Sequence, residues 1–199
     1  MAKLISKRST ASPALAALFA AATLAAWVTG PANGTELLVN GGFETGDFTG
    51  WVQLGNTGST GVQCPGPSST VAEGNCSAFL GPLTEGALAQ GFNTVVGVPV
   101  LISFNFLSDG ITPGDFSAVF NGVTLVSLTN PPATSGFQSF SFVEIATVPN
   151  STLQFNFSNV NSFYYLDAAS VAVPEPATMA LVGVGLAGLW AGRRRRKMQ

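Results

Sequence analysis

Between Glu36 and Glu175 the chain contains no lysine, no arginine and no histidine. The eight basic residues all lie at the two ends, and the ten acids all lie inside that stretch, which therefore carries a formal charge of −10. Three consequences follow. Nucleic-acid binding by phosphate neutralisation needs Lys or Arg, so nucleic acid is not a partner. General acid–base chemistry on histidine, and Ser-His catalysis, have no imidazole to use. Salt bridges within the body have no cationic partner, so each carboxylate must be hydrated, cap a backbone group or face a cation. Cysteine is also scarce. With only Cys64 and Cys76 and no histidine, a zinc site lacks ligands. A helical period of useful length and an internal repeat are both missing from the body.

Low charge does not here mean disorder. Charged residues make up 9% of the chain, but hydrophobic residues make up 46%, with 15 Phe. A disordered segment lacks the apolar surface to fold, and this chain has it. Phe with 23 Gly and 12 Pro favours strands and turns over helices.

The two ends read as targeting segments. Lys3, Lys7 and Arg8 precede an Ala/Leu-rich run from Ala14 to Val28, the pattern of a secretory signal peptide over residues 1–32. Cleavage fits after Ala25 or after Ala32. At the other end, Pro174-Glu175-Pro176 precedes an apolar run, Ala177 to Gly192, and then Arg193, Arg194, Arg195, Arg196 and Lys197. The apolar run is shorter than the ~20 residues of an ordinary membrane span, but it is expected to form a single transmembrane helix with thinning of the bilayer. The basic cluster marks its cytoplasmic end.

The order Pro-Glu-Pro, short apolar helix, basic tail over residues 174–199 resembles the PEP-CTERM sorting signal. That resemblance implies an exported substrate of an exosortase, an integral membrane enzyme of bacteria that make exopolysaccharide. It implies transient anchoring, removal of the tail near the motif, and delivery to the cell surface or matrix.

Residues 36–173 alternate as strands do. Val100, Ile102, Phe104 and Phe106 share one face, and so do Leu153, Phe155 and Phe157, with uncharged polar residues opposite. This is the pattern of antiparallel sheets with one face on a core. Asn121-Gly122 between two apolar runs predicts a two-residue type I′ hairpin. Further turn clusters at 55–61, 108–114, 130–136 and 149–151 space the strands for an all-β antiparallel sandwich or jelly roll.

The opening segment, Glu36-Leu-Leu-Val-Asn-Gly-Gly-Phe-Glu44 followed by Trp51, and the closing segment, Phe163-Tyr-Tyr-Leu-Asp167-Ala-Ala-Ser-Val171, resemble the first and last strands of galactose-binding-like jelly rolls, the fold of many carbohydrate-binding modules. The resemblance implies a structural calcium ion shared by Glu44 and Asp167, with backbone carbonyls near Asn40 and Gly42. Ala168 departs from the family's Leu-Asp-Asp-Val pattern. Calcium suits such a set, since it takes six to eight hard oxygens.

In an exported chain Cys64 and Cys76 are expected to form a disulfide, closing a loop worth ~3 kcal/mol by chain entropy. Exposed aromatics stack on sugar rings in modules of this kind. Trp51 is expected in the core, and Tyr164 and Tyr165 are the candidate ligand-binding residues, with one of any adjacent pair on a strand pointing outward. Asp109, Asp115, Glu73 and Glu85 are the carboxylates available for a glycosidase, but nothing sets a distance between any two. No enzyme is expected. The leading expectation is a non-catalytic exported module that binds exopolysaccharide. Its rivals are a surface protein of structural or interaction type and, remotely, an extracellular hydrolase.

Overall fold

A computed structural model describes residues 34–174. The expected signal peptide, the apolar helix 177–192 and the arginine-rich tail lie outside the described residues. Among those residues no helix is long and apolar enough to cross a membrane.

The described chain is all β. Its strands are β1 (Thr35–Glu36), β2 (Val52–Gly55), β3 (Thr60–Gln63), β4 (Ser77–Leu80), β5 (Gly86–Asn93), β6 (Pro99–Leu107), β7 (Gly114–Phe120), β8 (Val123–Thr129), β9 (Gln138–Ile145), β10 (Asn150–Asn159) and β11 (Tyr164–Val173). One sheet runs β3-β4-β11-β6-β9, with β1 paired to β11, and the other runs β2-β5-β10-β7-β8. Every pairing is antiparallel. The expected sandwich is what forms.

The alternation seen in the sequence is the packing. Ile102, Phe104 and Phe106 from one sheet meet Phe116, Phe155 and Phe157 from the other, all buried. Phe106 and Phe116 rings lie 4.2 Å apart, and Phe104 and Phe155 meet edge to face at 5.0 Å. Such contacts add roughly 0.5–1.5 kcal/mol to what area burial gives. Trp51 is in this core, as expected: it packs on Phe43 and Phe155, and its indole N–H donates to the Asn40 carbonyl at 3.1 Å.

The hairpin at Asn121-Gly122 joins β7 to β8 with both central residues at positive φ, 49° and 81°, which is the type I′ requirement. The opening segment differs from expectation. It is not a strand to Glu44 but two strand residues followed by a turning chain. The Glu36 carboxylate bends back to accept the amides of Leu37 at 3.0 Å and Leu38 at 2.8 Å, and Asn40 and Phe43 take positive φ. The segment still lies along β11, since Leu37 N–H donates to the Val171 carbonyl and Ala169 N–H to the Gly41 carbonyl.

Candidate functional site

The closing strand β11 carries the candidate site residues Tyr164, Tyr165 and Asp167. Along it Tyr164 and Leu166 point inward and are fully buried. Tyr165 and Asp167, offset by one, point to the other side, as the two-residue period of a strand demands. A bulge between Asp167 and Ser170, with Ala168 at φ 49°, then shifts the register against β6.

Asp167 lies on this outward face yet has 0% exposure. The segment 64–76, closed by the Cys64–Cys76 disulfide, covers it. Asp167 Oδ2 accepts the amides of Ala72 at 2.8 Å and Glu73 at 3.0 Å, while Oδ1 accepts that of Ala168 at 2.6 Å. Glu44 Oε1 accepts the amides of Asn75 at 2.9 Å and Cys76 at 3.0 Å. Four of the amides between 72 and 76 are thus turned toward two carboxylates. Gly74 sits between them at φ 69°, where a β-carbon would collide with the Glu44 carboxylate, so glycine is required on both counts. Burial pushes the Asp167 carboxyl above the usual range. The three amides on it pull the other way, and the nearby Glu44 charge adds to the rise. The structure therefore brings Glu44 and Asp167 to one place, beside a cleft lined also by Asn40, Gly42 and Glu73.

Tyr164 does not stand where a sugar could reach it. Its ring packs on Phe106 at 5.2 Å, and it is 0% exposed. Its hydroxyl is buried without a hydrogen-bond partner, and burial, helped by Asp115 and Asp109, pushes its pKa up to about 12. The reason is parity: Leu166 and Tyr164 fall on the core side of β11, so the aromatic that faces outward is Tyr165.

Tyr165 has company that the sequence reading missed. It lies directly across from Phe79 on β4, and the Phe79 ring meets that of Phe163 edge to face at 5.5 Å. Phe163 is 37% exposed, and Phe79 and Tyr165 are half-buried. Gly61 on β3 faces Phe79, where a β-carbon would run into the ring. The result is an outward aromatic patch of Phe79, Phe163 and Tyr165. Beside it, the Ser162 hydroxyl donates to Asp109, and burial, helped by the Asp109 charge, raises the Tyr165 phenol. The available signal was the same parity rule: if Tyr165 points out, so do Phe163 and its cross-strand partner. Only the strand pairing, however, names Phe79.

The four carboxylates considered for hydrolysis stay apart in role. Asp109 caps the Ile111 amide at 3.0 Å, and the Glu73 main chain serves Asp167. Asp115 and Glu85 are exposed. Among the described residues no group of three or more His, Cys, Asp or Glu gathers as a metal cluster.

Comparison with solved structures places this architecture. The body is similar to the TmCBM61 module in complex with β-1,4-galactotriose, with a TM-score of 0.58 at 16% identity, covering 69% of this chain and 97% of that one. It is also similar to the C-terminal family 22 carbohydrate-binding module of Clostridium thermocellum Xyn10B, with a TM-score of 0.50 at 15% identity, covering 72% and 97%. The enzymatically active domain of bacteriophage CBA120 tailspike protein 4 gives a TM-score of 0.50 at 15% identity over 69% of this chain and 21% of that one. No curated protein matches the sequence. At these identities the likeness is one of fold. Residues 172–196 match the model of the PEP-CTERM protein-sorting motif. The chain therefore carries a PEP-CTERM protein-sorting motif at residues 172–196, behind a body whose jelly-roll fold is similar to that of carbohydrate-binding modules.

Proposed function

We propose that the chain is a non-catalytic surface or matrix module, exported and sorted by an exosortase, that binds exopolysaccharide through the aromatic patch of Phe79, Phe163 and Tyr165. The observation that carries this reading is the patch itself. Three rings lie together on the outer face of a sheet, and one of them bears a hydroxyl beside a carboxylate. Aromatic rings offer a pyranose an apolar face, and a tyrosine hydroxyl adds a polar handle. The lack of any cation in the body argues for neutral sugars, since a strongly acidic body repels an anionic polymer. Structural neighbours recorded with galactotriose or named as carbohydrate-binding modules support the class of ligand.

A structural calcium ion belongs to this proposal. Two carboxylates close enough to raise a pKa, in a body with no Lys or Arg, are a hard-oxygen anionic pair that fits calcium. Glu44 and Asp167 would hold it, and it would supply positive charge that the amides alone do not. Ala168 contributes no side-chain oxygen, so carbonyls and water would complete the shell.

The structural reading keeps one specific observation. Strand β9 is a sheet edge, and its Val143 and Ile145 are exposed on it, a surface suited to protein assembly. Binding of the host's purified exopolysaccharide separates the two: a glycan module loses it on Tyr165→Ala with the fold intact, whereas an assembly module shows none to lose.

A further inference from the structure

The patch and the cradle leave unexplained a second apolar surface, at the end of the sandwich where β11 stops. Val95 is 69% exposed there, with Val96, Ile145 and Val148 also open to solvent. Beneath them lies a shallow cavity of about 180 Å³, lined by Leu37, Val95, Val98, Val100 and Val173. The loops that carry these residues are tied together, since the Thr94 amide donates to the Pro149 carbonyl and the Gly97 amide to that of Ala146. The nearby Glu36 carboxylate is turned away onto the amides of Leu37, Leu38 and Val171. Glu144, across from Val100, sets a polar margin.

What covers this end follows from the tether. Val173 lines the cavity, and only Pro174, Glu175 and Pro176 separate it from the apolar run that begins at Ala177. The four Cα–Cα steps from Val173 to Ala177 span at most ~14 Å. Once 177–192 enters a bilayer, the lipid surface has to lie within that distance of Val173. The surface beside Val173 is this valine-rich one.

We propose that the Val95, Val96, Ile145 and Val148 end of the body seats on the outer surface of the lipid bilayer while the sorting segment is inserted. This rests on the sorting-signal reading of residues 174–199. Seating would keep the sorting motif close to the membrane surface. The hydrocarbon on offer is a few valine and isoleucine side chains, and even a whole myristoyl chain by itself binds membranes only marginally and reversibly. Cleavage of the tether would therefore free the body without further machinery.

The test uses the full chain reconstituted in phosphatidylcholine vesicles. A nitroxide is placed by Val96→Cys and, in a second sample, by Leu83→Cys. The native cysteines are bonded to each other and do not compete. Leu83 is 66% exposed, close to the 69% of Val95, and lies at the opposite end, next to the Pro82 carbonyl that accepts the Asn159 amide. The readout is accessibility to oxygen, which concentrates in lipid, against accessibility to a water-soluble nickel chelate. Insertion should raise the oxygen-to-nickel ratio several-fold at position 96 and leave it unchanged at 83. Equal, aqueous ratios at both positions in a chain that floats with the vesicles would overturn the proposal while sparing the anchor. A chain that does not float at all removes the anchor and the proposal together. Shielding at 96 that appears only when membranes containing exosortase are added would assign this surface to the enzyme instead of the lipid.

Discussion

Glu44 and Cys76, 32 positions apart, are joined by one hydrogen bond: the Cys76 amide donates to Glu44 Oε1 at 3.0 Å. Through it the opening segment holds the end of the disulfide loop, and the same loop reaches Asp167 on the closing strand through Ala72 and Glu73. Two ends of the body that are far apart in sequence are thereby fastened by backbone amides.

Removing either fastening should loosen the same segment. Glu44→Ala leaves the Asn75 and Cys76 amides without their acceptor and should cost roughly 1–3 kcal/mol. The pair Cys64→Ser and Cys76→Ser should cost about 2–4 kcal/mol through the loop it opens. Denaturant midpoints give the cost. Proteolysis should find new cuts in 64–76 first, and cuts elsewhere instead would contradict the linkage.

Calcium should raise the unfolding midpoint relative to chelator, because an ion that binds only the folded state stabilises it by mass action. Glu44→Gln should abolish the difference. Identical midpoints for the wild-type chain in calcium and in chelator would leave the amides as the sole partners of the two carboxylates.

Acidity tests Asp167 separately. Burial raises its folded pKa above the usual 3.8, so the folded state holds its proton more tightly than the unfolded one. The stability this contributes is complete below about pH 3.8 and is lost as the pH rises through the folded pKa. Without calcium, Asp167→Asn should flatten the stability profile just above pH 3.8. An unchanged slope there would mean that burial does not perturb this group.

Tyr164 makes an opposite kind of prediction from its neighbour. Its hydroxyl is buried and unpartnered, so Tyr164→Phe should stabilise the fold by ~1–2 kcal/mol and leave glycan binding intact. Stability should also fall above about pH 10 in the wild type, where the unfolded phenol ionises and the folded one, with a pKa of about 12, does not. Loss of binding in Tyr164→Phe would contradict its assignment to the core.

The sandwich was legible because the two-residue period was clean in β6, β9 and β10, and because Asn121-Gly122 names its own turn. The opening segment was less so. Glu36-Leu-Leu-Val reads as a strand, but a carboxylate that caps its own following amides ends it after Glu36, and composition does not reveal that. The sorting motif was legible in full, since its three parts are contiguous. The aromatic patch was half legible. Parity along β11 allows either tyrosine to face out, and only the pairing of Tyr164 with Leu80 and Tyr165 with Phe79 decides which. The amide cradle was not legible at all, because backbone N–H groups leave no mark in a sequence.

The central claim is that the patch binds sugar, and the direct measurement is equilibrium binding of the purified chain to its host's own neutral exopolysaccharide. Wild type and Tyr164→Phe should bind saturably and alike. Tyr165→Ala and Phe163→Ala, with unfolding midpoints showing an intact fold, should each lose about tenfold or more in affinity, the ~1.4 kcal/mol scale of one stacking contact. Undiminished binding in both alanine variants, or none in the wild type, would contradict the account.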